Sequence, residues 1–207
     1  MNPKYWQQAR LIILGCCSLG IFLTLGIKLL ATSSIYKFPN NLVLHTWESI
    51  KTDNITYYST TLEGRREQKK LSSSNLSIEV YYIPNNLLGN KELIRQYHLL
   101  ESPPENITMI ANNEIGYYGL FTKGNSTNLA TCVHPEGKTA FTFPQFTNLA
   151  HQNIKTRLLP WIFGISDLRD WRCFWVNMSM SLDNITEQEA NDILQTELKT
   201  IVSEITQ

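Results

Sequence analysis

Apolar and polar positions alternate cleanly over residues 76–82. Leu76, Ile78, Val80 and Tyr82 share one parity, and Ser77, Glu79 and Tyr81 the other. That period of two is the signature of a half-buried strand. Residues 55–59 form a weaker strand candidate that pairs with it, and residues 107–111 read as another short strand. Residues 115–122 and 127–134 flank Lys123-Gly124-Asn125-Ser126, which predicts a hairpin. Residues 173–180 read as a further strand. Helical spacing governs three other stretches. Residues 91–100 bring Leu93, Ile94 and Tyr97 onto one face and stop at Pro103-Pro104. Residues 144–163 mix apolar and polar positions at helical spacing, with Pro160 expected to kink or split the helix. Near the C-terminus, Thr186-Glu187-Gln188-Glu189 is a capping box, in which a hydroxyl and a carboxylate satisfy free amides. After it, Ala190, Ile193, Leu194, Leu198, Ile201, Val202 and Ile205 form one apolar stripe. Residues 62–75 are polar and charged and read as a loop. This order predicts an α+β domain: an antiparallel sheet packed with helices, ending in a long amphipathic helix.

The N-terminus carries a different pattern. Residues 11–27 are an uncharged run of 17 residues, interrupted by Lys28 and extended by Leu29, Leu30 and Ala31. At about 1.5 Å per residue, residues 11–31 would span roughly 30 Å, the thickness of a bilayer's hydrocarbon core. Lys4 and Arg10 precede the run, so the positive-inside rule puts the N-terminus in the cytoplasm. The expected organisation is a cytoplasmic segment 1–10, a transmembrane helix 11–31, a stalk 32–41 and an extracytoplasmic α+β domain 42–207. A signal-peptide cut before Thr32 lacks the small residues it needs. Lipidation at Cys16 would leave only Leu11 to Gly15 as apolar core.

Composition narrows the partners. Hydrophobic residues make up 43% of the chain and charged residues 17%, which excludes a disordered polymer. From Thr32 onward, 15 Lys and Arg face 18 Asp and Glu. A mildly acidic domain does not suit nucleic acid, whose binding needs a clustered basic surface. The cluster Arg65, Arg66, Lys69 and Lys70 is interrupted by Glu67 and reads as a solvated loop.

Four cysteines divide into two pairs. Cys16 and Cys17 lie in the apolar run, whereas Cys132 and Cys173 lie in the domain, where oxidation is permitted. A disulfide between Cys132 and Cys173 would close about 42 residues, worth roughly 4 kcal/mol by chain entropy. Two alternatives stay open. Cys132 with His134 or His151 would make a thiolate nucleophile. On a strand, however, residues 132 and 134 stand about 7 Å apart, too far for direct proton transfer. A zinc site from Cys132, His134, His151 and Cys173 lacks the close cysteine spacing of structural sites. Asn-x-Ser/Thr sequons occur at Asn54, Asn75, Asn106, Asn125, Asn177 and Asn184, which would matter in a glycosylated type II eukaryotic ectodomain. No phosphate-binding glycine loop or hydrolase elbow is present, and no cofactor is implied.

Residues 157–179 concentrate Trp161, Trp171, Trp175, Arg157, Arg169, Arg172 and Cys173. The run LLPWIFGI over 158–165 reads either as core or as an exposed patch that touches a bilayer or a membrane protein. Arg169 and Arg172 with Asp167 and Asp170 read either as a local ion-pair cluster or as the rim of an interface.

Four segments carry a resemblance. IGYYGLF (115–121), CVHPEG (132–137), RLLPWIFG (157–164) and LRDWRCFW (168–175) resemble the cyanoexosortase A system-associated proteins. Arg157, Pro160, Trp161, Arg169, Asp170, Cys173 and Trp175 fall in that pattern, as do Tyr118, Gly119 and Cys132. The similarity is collinear over nearly the whole chain. It implies a small single-pass accessory protein of the bacterial inner membrane, non-catalytic, with its domain in the periplasm. The implied partner is an exosortase-type membrane protein or its sorted substrates, in a protein-sorting or exopolysaccharide system. The candidate partner-binding set is then Arg157, Trp161, Arg169, Asp170, Trp171 and Arg172. The rival function is a periplasmic cysteine enzyme acting on surface glycan or sorted protein.

Overall fold

The structure, a computed structural model, describes residues 14, 15, 18, 20, 47–57, 62–71, 74–84 and 107–206. The expected stalk 32–41, the helix 91–100 and most of the run 11–31 lie outside these residues. By internal contacts the chain divides into two units. One comprises Met1–Lys37 and His151–Arg169, the other Phe38–Ala150 and Asp170–Gln207.

The larger unit is built on an eight-stranded sheet. Its strands are β1 (Glu48–Tyr57), β2 (Leu62–Leu71), β3 (Ser74–Ile83), β4 (Thr108–Asn112), β5 (Gly116–Lys123), β6 (Ser126–Val133), β7 (Thr139–Ala140) and β8 (Cys173–Ser181). The helices are α1 (Phe143–His151), α2 (Ile154–Ile162) and α3 (Glu187–Ile205). The spatial order is β1-β2-β3-β8-β6-β7-β5-β4, with β5 also paired to β6.

The expected all-antiparallel sheet is corrected by β7. The β5–β6 hairpin runs as a ladder from Lys123↔Ser126 to Gly119↔Ala130, and beyond it the two strands fork. β7 fills the fork, antiparallel to β6 and parallel to β5 at Gly116↔Thr139. The sheet is therefore mixed. Gly116 makes the parallel contact possible. Its φ is +117°, and a Cβ there would collide with the Thr139 carbonyl oxygen. Thr131 closes the fork's throat, its hydroxyl donating to the Tyr117 carbonyl at 2.8 Å.

The expected loop at 62–75 is also corrected, because most of it is β2. Both parities of that strand are polar, so no alternation marks it. Arg65, Glu67 and Lys69 share a parity, and Glu67 and Lys69 are buried. Glu67 sits between the two cations in lateral ion pairs, 3.2 Å from Arg65 and 3.1 Å from Lys69. On the other parity, Arg66 reaches Glu79 of β3 at 2.7 Å.

The expected N-terminal transmembrane helix is withdrawn. Leu14, Gly15, Ser18 and Gly20 are helical, but among the described residues no helix is long and apolar enough to cross a membrane. α3 has the length, 19 residues, yet carries Glu187, Glu189, Asp192, Glu197, Lys199 and Glu204 opposite its apolar stripe. α2 has the apolarity, but its nine residues reach only about 14 Å.

Each sheet face has its own core. α3 packs on β6 and β8, whose Leu129, Val176, Met178 and Met180 are buried, and the register puts the buried Leu76, Ile78 and Val80 of β3 on that same face. The capping box at Thr186 starts that helix, and Thr127 bonds Asn191 across the interface at 2.9 Å. Trp47 ties the start of β1 to the same helix through Glu197 at 2.9 Å. The opposite face holds Tyr81, Ile83, Ala130, Cys132, Cys173 and Trp175 with Phe121, Phe141 and Phe146. Gln145 sets α1 over this cluster by accepting from the Phe141 and Thr142 amides at 3.0 and 2.9 Å, a helix-start arrangement like a capping box.

Candidate docking surface

The chain leaves the larger unit after Ala150 and re-enters it at Asp170. The re-entry point is dense with chemistry-bearing residues, and each is engaged in structure. Cys132 in β6 and Cys173 in β8 are joined as a disulfide, with Cα atoms 5.7 Å apart. They sit diagonally across neighbouring strands, since Cys132 lies opposite Trp175 and Val133 opposite Phe174. Cys132 is 4% exposed.

His134 follows directly and is 1% exposed. Its Nδ1 accepts from the Glu136 amide at 3.3 Å, which leaves the proton on Nε2, 3.2 Å from the Asp170 carbonyl oxygen. Both nitrogens are thus turned to the main chain, not to the sulfur of Cys132. Burial lowers the His134 pKa, against the opposing pull of the Asp170 charge, so the ring is neutral at pH 7. Among the described residues, no three His, Cys, Asp or Glu side chains gather to hold a metal ion.

Asp170 is 2% exposed. Its carboxylate accepts from Arg172 twice, from Nε at 2.8 Å and from Nη2 at 2.5 Å, a bidentate pair. The hydrogen bond to Asp170 in turn raises the Arg172 pKa. Trp171 lies against Phe146 of α1, with ring centroids 5.9 Å apart. Of the six candidate partner-binding residues, Asp170, Trp171 and Arg172 therefore serve the packing of the larger unit.

Arg157, Trp161 and Arg169 belong to the other unit. Here the core reading of residues 158–165 is overturned, because α2 buries no residue at all. Leu158, Leu159, Trp161, Ile162, Phe163 and Ile165 are 44–64% exposed. The expected split at Pro160 also moves. The break falls at Gln152-Asn153, between α1 and α2, and Pro160 lies inside α2. The far end of α2 is firmly stopped. Gly164, at φ +70°, donates to Trp161 O at 2.9 Å, and Ile165 donates to Pro160 O at 2.8 Å. These two bonds are a Schellman motif, which folds Ile165 back over the helix end. Leu158, Leu159, Trp161 and Ile162 thus stand on a terminated helix, and Phe163 and Ile165 follow in its C-terminal turn.

Sequence reasoning missed the Arg65-Glu67-Lys69 row, with Glu67 and Lys69 buried, whose only trace is same-parity charges of alternating sign. Among the sequons, Asn54, Asn75, Asn125 and Asn184 are exposed, Asn177 is half-buried on the central strand β8, and Asn106 lies outside the described residues. Comparison with protein-family models, curated proteins and solved structures returns no match.

Proposed function

We propose that the chain is a non-catalytic accessory protein of an exosortase-type protein-sorting or exopolysaccharide system. It acts through protein contacts in the periplasm. The observation that carries this reading is a contrast among the four segments behind the resemblance. Tyr118, Cys132, His134, Asp170, Cys173 and Trp175 of three segments are buried, whereas RLLPWIFG exposes Leu158, Leu159, Trp161, Ile162 and Phe163. The buried segments supply fold, and the exposed one is available for recognition. A paired Cys132 suits an oxidising compartment and leaves no thiolate there for nucleophilic chemistry. Arg169, beyond the apolar run, is the polar contact offered to the partner, since arginine is favoured at hot spots of interfaces.

The test is photocrosslinking in native membranes with a photoreactive residue in place of Arg169. Recovery of an exosortase-type protein or a sorted substrate is expected. Recovery of neither, with the variant folded and at its normal level, refutes the assignment.

A further inference from the structure

We propose that the α2 tip, from Leu158 to Ile165, seats in the interface of a bilayer rich in anionic phospholipid. This goes beyond the accessory role and does not depend on it. Isolated exposed apolar side chains are ordinary, but a contiguous set marks an interaction surface. Here six large ones follow within eight residues, each at least 44% exposed.

The polarity of α2 runs along its axis. Lys155, Thr156 and Arg157 occupy its first turn, and only apolar residues follow up to the Gly164 stop. With a rise of about 1.5 Å per residue, Lys155 stands roughly 10 Å behind Ile162. Interfacial segments bury their apolar part about 5–10 Å deep, at the boundary of headgroups and acyl chains. The tip therefore reaches acyl carbon while Lys155 and Arg157 lie at phosphate level. Trp161, apolar in body with a polar N–H, suits that boundary. The Schellman motif fixes the tip in advance, so little order is lost on insertion.

Charge selects the occupant. Residues 151–169 hold Lys155, Arg157 and Arg169 against Asp167 alone. Residues 170–207 hold seven carboxylates against two cations, so the cationic character is local to the tip's own segment. An anionic headgroup layer complements it. A second copy of the same segment would set like charges against each other across a two-fold axis.

The experiment uses the full chain with vesicles of phosphatidylcholine and phosphatidylglycerol at 3:1, the phosphatidylcholine brominated in its acyl chains. The readout is the tryptophan quenching that disappears in Trp161→Phe, which isolates Trp161 from Trp6, Trp47, Trp171 and Trp175. A membrane-binding segment elsewhere leaves this difference unmoved. A clear Trp161 share of the quenching is expected. In a Leu159→Glu/Ile162→Glu background, binding through the tip should weaken roughly tenfold per substitution and the share vanish. Lys155→Ser and Arg157→Ser should each cost roughly fivefold on the anionic vesicles and nothing on pure phosphatidylcholine. Equal quenching of wild type and Trp161→Phe overturns the proposal. So does shielding of Trp161 from iodide in native membranes without any bromolipid quenching, because a protein then covers the tip.

Discussion

Removing the Cys132–Cys173 bridge should destabilise the larger unit by about 4 kcal/mol without dissolving its sheet. The magnitude follows from the sequence separation of 41 residues. Cross-linking across such a loop removes about 13 cal/mol/K from the unfolded chain, or roughly 4 kcal/mol at 25 °C. Against a typical domain stability of about 5–15 kcal/mol, that is a large share. The native state should survive because β6 and β8 pair from Ser126↔Ser181 to Val133↔Phe174 independently of the bridge. The clean perturbation is the double variant Cys132→Ala/Cys173→Ala, since a single change leaves a lone buried thiol. Urea unfolding, followed by circular dichroism with and without dithiothreitol, gives the readout. With a slope of about 2 kcal/mol/M, the wild-type midpoint should fall by roughly 2 M on reduction and coincide with that of the double variant. Alkylation of the unreduced, native protein should leave Cys132 and Cys173 unlabelled. A Cys132 that labels without reductant, or a midpoint indifferent to reductant, would falsify the bridge and restore Cys132 as a candidate nucleophile.

Two further perturbations probe the same unit. Because burial holds the His134 pKa below its ordinary value, the unfolded chain takes up a proton first as pH falls. Stability is full above about pH 6.5 and declines below it by up to about 1.4 kcal/mol per pH unit until the folded pKa is reached. Denaturant midpoints between pH 7 and 5 should show this slope, and His134→Gln should flatten it; an unchanged slope refutes the assignment. Glu114 and Glu189 are held low by the bond from Lys199 and by the Thr186 amide respectively, so their contributions are lost only below the ordinary carboxylate range. In the β5–β6 fork, Gly116→Ala meets both a positive φ and the Thr139 main chain, whereas Gly119→Ala meets only the Phe141 ring, 2.5 Å from the new Cβ. Gly116→Ala should cost about 3 kcal/mol or more and speed exchange of the Thr139 amide, and Gly119→Ala about 1–2 kcal/mol. The reverse order in thermal unfolding counts against the wedge role of β7.

Legibility tracked how locally each element is encoded. The β5–β6 hairpin, β8 and α3 carry their own signals in a turn, an alternation and a capping box. β2 carried none, because Arg65, Glu67 and Lys69 occupy the parity an apolar row normally fills, and their compensation is visible only with side chains in place. β7 is two residues long and exists because of a fork between two other strands, a non-local cause that no window of sequence contains. At the docking segment, Arg157, Asp170 and Arg172 look alike in sequence. Only burial separates Asp170, which is buried and paired with Arg172, from the exposed residues of 158–165. The run LLPWIFGI was ambiguous for a similar reason. Hydropathy states how much a segment gains by leaving water, not whether the fold supplies a partner.

The two halves of the Trp/Arg region meet in one physical scheme. Residues 151–169 leave and rejoin the larger unit, and the points of departure and return are held together. Phe146 and Ala150 are buried at departure, and Asp170 and Cys173 at return. The Phe146–Trp171 ring contact joins the two sides. His134 then grips the Asp170 carbonyl, and the disulfide fixes Cys173 to β6. A segment closed at its neck has fewer conformations to lose when its tip meets a surface, so more of the contact energy is retained as affinity. On the proposed docking role, the buried cysteines, histidine and aspartate would serve recognition without touching a partner, by restraining the ends of the segment.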